Sequence, residues 1–239
     1  MEHIETRRDL AAALRWSARL NMHEGIANHF SVAVSDDGSH FLLNPNGVHW
    51  SKIRARDLLE LDANGEVGEI NGSVDPTAWA IHGAMHRKVP HARCIMHLHS
   101  KYATALACLK DPSLPPIDQN TMRFYNRVSV DSGFDGMGLG DEAERMADTL
   151  GNKSILMLGQ HGILTVGPSV AHAFDDIYYF ERSAETYMTA MATGKELNIA
   201  SPDVAEKTAQ QWEEYPGAAA NHMKAIRAVL DEEEPEYRD

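Results

Sequence analysis

Short apolar segments on either side of polar turns dominate the first third of the chain and predict β-hairpins. Residues 30–34 and 40–43 flank the Asp- and Gly-containing turn 35–38, and residues 57–61 precede a similar turn at 62–65. Pairs of apolar segments around Asp, Asn and Gly are typical of antiparallel strands joined by tight turns. The pattern therefore predicts an antiparallel sheet built from the N-terminal part of the chain.

Apolar positions three and four residues apart predict helices both before and after these hairpins. The predicted helices are residues 6–20, 77–87, 100–109, 141–150, 169–193 and 218–230. Apolar segments between them predict buried strands at 93–99, 154–158 and 162–166. Residues 111–140 are rich in Pro and Gly and form a segment longer than a simple connection between two elements. We expect this segment to form the rim of a site.

Hairpins followed by strand–helix–strand units indicate an α/β protein with an α/β/α layered fold around one mixed, largely antiparallel central sheet. We expect residues 1–239 to form a single domain, in which residues 200–239 are a helical C-terminal tail. A chain of 239 residues is long enough for one large hydrophobic core.

Charge and composition narrow the classes of partner. The formal net charge of -13 argues against nucleic acid and against anionic membrane surfaces. No apolar stretch approaches the ~18 residues that span a bilayer, and residues 1–5 lack the apolar region of a signal peptide. Two cysteines, Cys94 and Cys108, do not indicate a disulfide framework. We therefore expect a cytoplasmic protein that acts on a small molecule.

The segment His97-Leu98-His99 carries the clearest chemical signal. On a strand, alternate side chains share one face about 6–7 Å apart, so both imidazoles can bind one metal ion. His161 is a third candidate, because the glycines that flank it allow a sharp turn near a ligand. Three imidazoles without a thiolate suit Zn, Mn, Fe, Co or Ni and leave positions open for substrate. The trio favours an enzyme.

Together with further residues, these histidines resemble the class II aldolase/adducin family over about residues 28–192. The other matching residues are Asn44, Pro45, Gly47, Asp57, Leu58, Gly65, His82, Pro90, Ser100 and Gly162. Residues 49–55 and 77–83 are more similar to the adducin-like branch than to the sugar-phosphate aldolases. The resemblance implies a homotetramer with one divalent metal ion (Zn, Mn, Fe or Co) on His97, His99 and His161, at a subunit interface. In such aldolases the metal polarises substrate oxygens and stabilises the enediolate left by carbon–carbon cleavage.

Two departures from the family pattern bear on the chemistry. The aldolases carry an acid–base Glu four residues before the helix histidine, and here that position, relative to His82, is Ala78. Their phosphate-binding pairs correspond to Asn28-His29, Asn46-Gly47 and Pro76-Thr77, so the phosphate cradle is only partly kept. His82 itself is expected to be a packed residue that bonds the backbone. A phosphorylated sugar is therefore disfavoured as the substrate.

Several other side chains are candidates for the remaining roles. Deprotonating a substrate hydroxyl needs a positioned base, and in place of the missing Glu the candidates for catalysis are His29, His49 and Asp131, besides a metal-bound hydroxide. Decarboxylation needs only an electron sink and a proton donor. The candidates for binding substrate are Asn28, Asn46, Gly47, Thr77, Arg123 and Tyr125, among which Arg123 can pair with a carboxylate through two parallel hydrogen bonds.

Three classes of function follow from these observations. The first is a divalent-metal-dependent lyase that cleaves a carbon–carbon bond, by decarboxylation or retro-aldol reaction, in a small non-phosphorylated hydroxy or keto acid. The second is a non-haem Fe(II) oxygenase on the same scaffold, although the commoner iron triad is two His and one carboxylate. The third is a non-catalytic adducin-like interaction module. Retention of three histidines argues against the third class, because a scaffold without catalysis needs no converging imidazoles.

Overall fold

A computed structural model describes residues 1–65 and 73–239 of the chain. Its α-helices are α1 Ile4–Arg19, α2 Pro76–Lys88, α3 Lys101–Ala107, α4 Gln119–Arg123, α5 Asp141–Leu150, α6 Val170–Met191, α7 Pro202–Glu213 and α8 Ala218–Glu233. Its strands are β1 His29–Ala33, β2 His40–Leu43, β3 Leu59–Asp62, β4 Cys94–Leu98, β5 Val128–Asp131, β6 Ile155–Leu158 and β7 Gly162–Gly167. Short 3₁₀ turns occur at Trp50–Lys52, Ala55–Asp57 and Pro235–Arg238.

The strands form one sheet in the order β3-β2-β1-β4-β7-β6-β5. Neighbouring strands are antiparallel except for β5 and β6, which are parallel. The predicted mixed, largely antiparallel sheet is thus confirmed, and β1 and β2 form the first predicted hairpin. The return strand of the hairpin predicted at the turn 62–65 falls on residues 66–72, outside the described residues.

Side chains alternate along the central strands and divide between two apolar layers. Phe30, Met96 and Leu98 belong to a layer packed with α1, α3, α6 and α8. Ile95 belongs to a second layer, which includes residues of α2 and α5. Helices therefore cover both faces of the sheet. Within residues 1–65 and 73–239, no helix is both long enough and apolar enough to cross a membrane.

The register of β1 against β4 determines which polar side chains share the α2 side of the sheet. His29 lies directly opposite His97, and Ser31 lies opposite Ile95. Directly opposed residues of antiparallel strands point to the same face. His29, Ser31 and His97 therefore point toward the layer that contains α2.

Residues 111–140 contain two elements that the sequence pattern does not predict. The helix α4 is five residues long and begins at Gln119, directly after Asp118, whose side chain accepts a hydrogen bond from the Thr121 N–H. The strand β5 lies at the edge of the sheet, and its residues are mostly half-exposed. Neither element is long or apolar enough to show a period in the sequence.

Candidate metal centre

Three imidazole rings meet where β4 and β7 lie side by side. The ring centroids of His97, His99 and His161 are 4.8 Å apart in each pair. His161 lies in the turn between β6 and β7, next to Gly162. A Cβ atom at Gly162 would collide with the carbonyl oxygen of Leu98, so glycine is required for β7 to approach β4 this closely. The structure thus brings the three predicted ligands together.

Hydrogen bonds determine which ring nitrogens can bind a metal. His97 Nδ1 donates to the carbonyl oxygen of Ile163 at 3.0 Å, and His99 Nδ1 donates to Glu24 Oε2 at 2.6 Å. A neutral imidazole carries one proton, so both Nε2 atoms bear bare lone pairs. These two Nε2 atoms face each other at 3.0 Å, an arrangement that a bound cation would stabilise.

His161 completes the group. One ring nitrogen from each of the three histidines lies within 4.8 Å of the others. His161 Nδ1 is buried and has no hydrogen-bond partner among the residues that the structure describes. Hydrogen bonds to the Nδ1 atoms of His97 and His99 orient these two rings in the way that is usual for metal-ligating histidines. The residues present therefore fit such an ion.

Burial keeps the rings of His97 and His161 in the neutral form that binds metal. Burial, and then the neighbouring histidines, hold the pKa of His97 well below 6.5. Burial, followed by the charge of His99, lowers the pKa of His161 to about 4. Since a metal ligand must be deprotonated, no proton has to leave either ring before metal binds at neutral pH.

Glu24 is a residue of the candidate site that the sequence pattern does not reveal. Its carboxylate holds His99 from a loop before β1, 75 positions away in the chain. A carboxylate on the outer nitrogen of a ligating histidine fixes the ring and raises its basicity. The sequence gives no spacing that links Glu24 to His99, so only the fold reveals the pair.

His29 and Asn28, two further candidates, lie beside the metal ligands. The ring of His29 is buried, and its centroid is 4.8 Å from that of His97. Asn28 Oδ1 accepts a hydrogen bond from the His99 N–H at 3.3 Å. Asn28 Nδ2 is buried without a partner in the described part of the chain, and the residue has a φ of 72°. Asn28 therefore has an unused donor next to the centre.

Four further candidates, three in loops and one at the start of α2, make contacts other than with the three histidines. His49 is exposed, and its Nε2 lies 2.9 Å from His23 Nε2. Asn46 and Gly47 are exposed in the turn after β2. Thr77 Oγ1 donates to Asp75 Oδ1 at 2.6 Å, at the start of α2. The structure shows none of the four in hydrogen-bond contact with the three histidines.

The remaining candidates fall in two places. Asp131 is buried at the end of β5, lies 3.2 Å from Arg145 Nε, and lines a narrow cleft together with His161. Arg123 Nη2 instead contacts Asp175 at 2.5 Å and Asp176 at 3.0 Å.

The role of Arg123 in binding a substrate carboxylate stays a prediction, since its Nη2 pairs with Asp175 and Asp176 while its Nη1 is buried without a hydrogen-bond partner among the described residues. Arg123 lines a separate cavity of about 530 Å³ that contains none of the three histidines. Tyr125 follows α4 and is half-buried; its N–H donates to the Met122 carbonyl oxygen, and its own carbonyl oxygen accepts from Arg127 Nη1.

The helix α2 presents no carboxylate where the resemblance places the acid–base Glu. Ala78 is 1% exposed. It belongs to an apolar cluster with Phe41, Leu43, Ala63, Val74 and Trp79. One turn later, His82 is fully buried, and its ring nitrogens lie within hydrogen-bond distance of the side chains of His29 and Ser31. The expected backbone bond of His82 is thus replaced by bonds to two side chains.

Comparison with known proteins identifies the family. Residues 8–188 match the model for the Class II Aldolase and Adducin N-terminal domain. An adducin-related protein of Schizosaccharomyces pombe is 31% identical over 259 residues, which cover 99% of this chain and 77% of that protein. The chain belongs to the class II aldolase/adducin family.

Solved structures agree with this assignment. An aldolase II superfamily protein from Pseudomonas syringae has a TM-score of 0.90 and 31% sequence identity, with 100% of this chain and 96% of that chain covered. The L-fuculose 1-phosphate aldolase from Glaciozyma antarctica PI12 has a TM-score of 0.85 and 27% identity, with coverage of 100% and 93%.

Proposed function

We propose that this protein is a divalent-metal-dependent lyase that cleaves a carbon–carbon bond in a small, non-phosphorylated hydroxy or keto acid. The reaction is a decarboxylation or a retro-aldol cleavage. The observation that carries the proposal is the convergence of His97, His99 and His161, with bare Nε2 atoms facing each other on the first two. Similarity to an L-fuculose 1-phosphate aldolase supports the carbon–carbon lyase class.

The three histidines would hold the ion, and a divalent metal there supplies Lewis-acid chemistry by polarising a substrate carbonyl or hydroxyl oxygen. Glu24 keeps His99 oriented for this role. Asn28 Nδ2, a buried donor without a protein partner in the described residues, can donate a hydrogen bond to a second substrate oxygen. Together these groups favour a substrate with oxygens on adjacent carbons.

His29 is the acid–base group of this proposal. Its Nδ1 is paired with His82, while its Nε2 makes no hydrogen bond to any residue that the structure describes. The Nε2 atom can therefore hold or accept a proton beside the metal ligands. This assignment gives the chain an acid–base group that Ala78 cannot supply. Asp131 and its cleft with His161 provide a second candidate.

The metal assignment is tested by single substitutions. We expect His97→Ala, His99→Ala and His161→Ala each to remove most of the bound metal while the fold is retained, because each takes away one of three ligands. Metal content by mass spectrometry and the circular dichroism spectrum are the readouts, with the exposed His91→Ala as the matched control. Stoichiometric metal in all three variants would show that the ligands are wrong.

Metal identity also separates the classes of function. After anaerobic purification, manganese or zinc with release of carbon dioxide or an aldehyde supports the lyase. Iron together with oxygen consumption would indicate the oxygenase, and a stable protein without metal would indicate the interaction module.

The substrate class is tested by an assay of ketose and aldose phosphates against aromatic and aliphatic hydroxy and keto acids, with metal supplied. We expect turnover of an acid, and sugar-phosphate cleavage that is absent or slow. Loss of a positioned acid–base group typically costs about 10²–10⁴ in rate, and Ala78 lies where the aldolases carry theirs. Fast cleavage of fuculose- or ribulose-type phosphates would overturn the proposed substrate class.

A further inference from the structure

A continuous chain of hydrogen-bonded side chains runs away from the metal centre between β1 and α2. His29 Nδ1 lies 2.7 Å from His82 Nε2, and His82 Nδ1 lies 2.5 Å from Ser31 Oγ. Ser31 Oγ in turn lies 2.9 Å from His86 Nε2. All four side chains are buried. Since the ring of His29 contacts that of His97, the chain begins at the candidate metal ligands.

Such a group of polar side chains is costly in a protein interior unless its members satisfy each other. The surroundings are apolar, because His86 stacks on Phe41 with ring centroids 4.6 Å apart and Ile81 and Met85 of α2 belong to the apolar layer. The links between these side chains provide partners for His29 Nδ1, for both ring nitrogens of His82 and for His86 Nε2. Their removal leaves buried nitrogens unpaired.

The Ser31 hydroxyl couples the proton positions of His29, His82 and His86. It has one proton, so it donates to either His82 Nδ1 or His86 Nε2 and accepts from the other ring. Each neutral ring also has one proton. The direction of the Ser31 hydroxyl therefore determines which nitrogen of His82 is protonated, and this in turn determines which nitrogen of His29 is protonated. In one arrangement His29 carries its proton on Nδ1 and has a bare Nε2, and in the other its Nε2 is protonated.

The chain positions His29 and does not conduct protons away from it. At the far end, His86 Nδ1 is buried and has no hydrogen-bond partner in the described part of the protein. A proton passed from His29 to His86 would leave a charge in the protein interior, where burial lowers the pKa of His86 to about 3.

We infer that His82, through its bonds to Ser31 and His29, is the positioning residue that holds the His29 ring in one orientation and one tautomer. This inference rests on the proposed acid–base role of His29. His82 follows Ala78 by one turn of α2, so it lies on the same side of the helix. In place of a carboxylate that reaches the substrate, this helix provides a support for a histidine that β1 brings to the site.

The tautomer is measured directly by ¹H–¹⁵N correlation spectra of histidine-labelled protein loaded with zinc, without substrate. We expect one tautomer of His29 in the unaltered protein and a mixture, or the opposite tautomer, in the His82→Leu variant. The matched control is His222→Leu, which removes a histidine bonded to Asp175 on another helix and should leave the His29 signals unchanged. A mixture in the unaltered protein, or the same single tautomer in His82→Leu, would overturn the inference.

Two further variants keep the test decisive if His82→Leu fails to fold. Ser31→Ala removes the next link and should also mix the His29 tautomers. His82→Gln restores a side-chain partner for His29 Nδ1 and should shift the tautomer less than Ser31→Ala. Unchanged His29 signals in both variants would count against the inference.

Turnover of an acid found by the substrate assay supplies an independent readout. We expect His82→Leu to lower kcat by about 10–100-fold with metal content retained, the usual range for a group that supports another at a metal site. The double variant His29→Gln/His82→Leu should be no slower than His29→Gln alone, because His82 acts through His29. Multiplied losses would overturn the inference. Absence of turnover on every acid would refute the proposed function, while the tautomer measurement still decides the role of His82.

Discussion

Single residues around the centre decide whether its histidines are ligands or merely buried polar groups. His97 and His99 are two positions apart in the chain, but their Nδ1 atoms donate to different acceptors. One donates to the main-chain oxygen of Ile163, and the other donates to the carboxylate of Glu24. The His99 contact is the one that a side-chain substitution can remove without altering a ligand.

We therefore predict that Glu24→Gln weakens metal binding about 10–100-fold while the fold is unchanged, because the carboxylate no longer raises the basicity of His99. Competition with a chelator measures the affinity. Glu185→Gln is a suitable control, since Glu185 pairs with Arg182 on the surface of α6. Equal affinities for the two variants would mean that the carboxylate does not support the metal.

The sequence predicts residues of this centre only where their spacing along the chain indicates that their side chains lie close together. His97 and His99 share a face because strands alternate, and the glycines around His161 mark a turn. Glu24 and Ser31 carry no such signal, because their partners lie far away in the chain. Arg123 has the right chemistry for a substrate clamp, but Asp175 and Asp176 are brought to it only by the fold.

At the level of elements, the pairing of β1 with β4 and the packing of α2 against them determine where the hydrogen-bonded side chains of His29, Ser31, His82 and His86 lie. A shift of β1 by one residue would turn His29 and Ser31 to the opposite face, where Phe30 packs into the larger apolar layer. Apolar periodicity predicts the elements that form this layer. It does not predict β5, whose position depends on parallel pairing with β6.

The burial of His86 between α2 and the sheet predicts that the folded protein is less stable in acid. Burial, and then the charge of Arg93, lower the pKa of His86 to about 3, while an unfolded histidine titrates near pH 6.5. Below about pH 6.5 the unfolded chain binds a proton that the folded chain excludes, so the free energy of unfolding falls as the pH drops toward about 3.

We expect this residue to contribute up to about 1.4 kcal/mol per pH unit across that interval. Denaturant unfolding of the metal-free protein at several pH values measures the slope. The variant His86→Gln should have a shallower slope than the unaltered protein. The same slope in both proteins would show that His86 is not held neutral in the fold.

At the scale of the whole molecule, helices cover both faces of the sheet, yet apolar side chains remain exposed near the metal centre. Phe134, Met137 and Leu139 follow β5 and are each about half exposed or more. The ring of Phe134 lies 6.1 Å from that of His161. A group of exposed apolar residues is typical of a surface that contacts another molecule.

We predict that the protein is a homotetramer and that this segment lies in a subunit interface near the site. Light scattering at micromolar concentration should give a mass close to four times 26.5 kDa. Met137→Glu combined with Leu139→Glu should weaken association, because charge is introduced into an apolar contact. Ile199→Glu, at an equally exposed position elsewhere, is the control. A monomer of the unaltered protein would contradict the prediction.

The burial of Ala78 limits what a single substitution at this position can achieve. A glutamate restored at this position would enter a cluster of apolar side chains, where an unpaired carboxylate is strongly disfavoured. We therefore expect that Ala78→Glu alone does not provide a working acid–base carboxylate, because the neighbouring Phe41 and Trp79 offer it no polar partner.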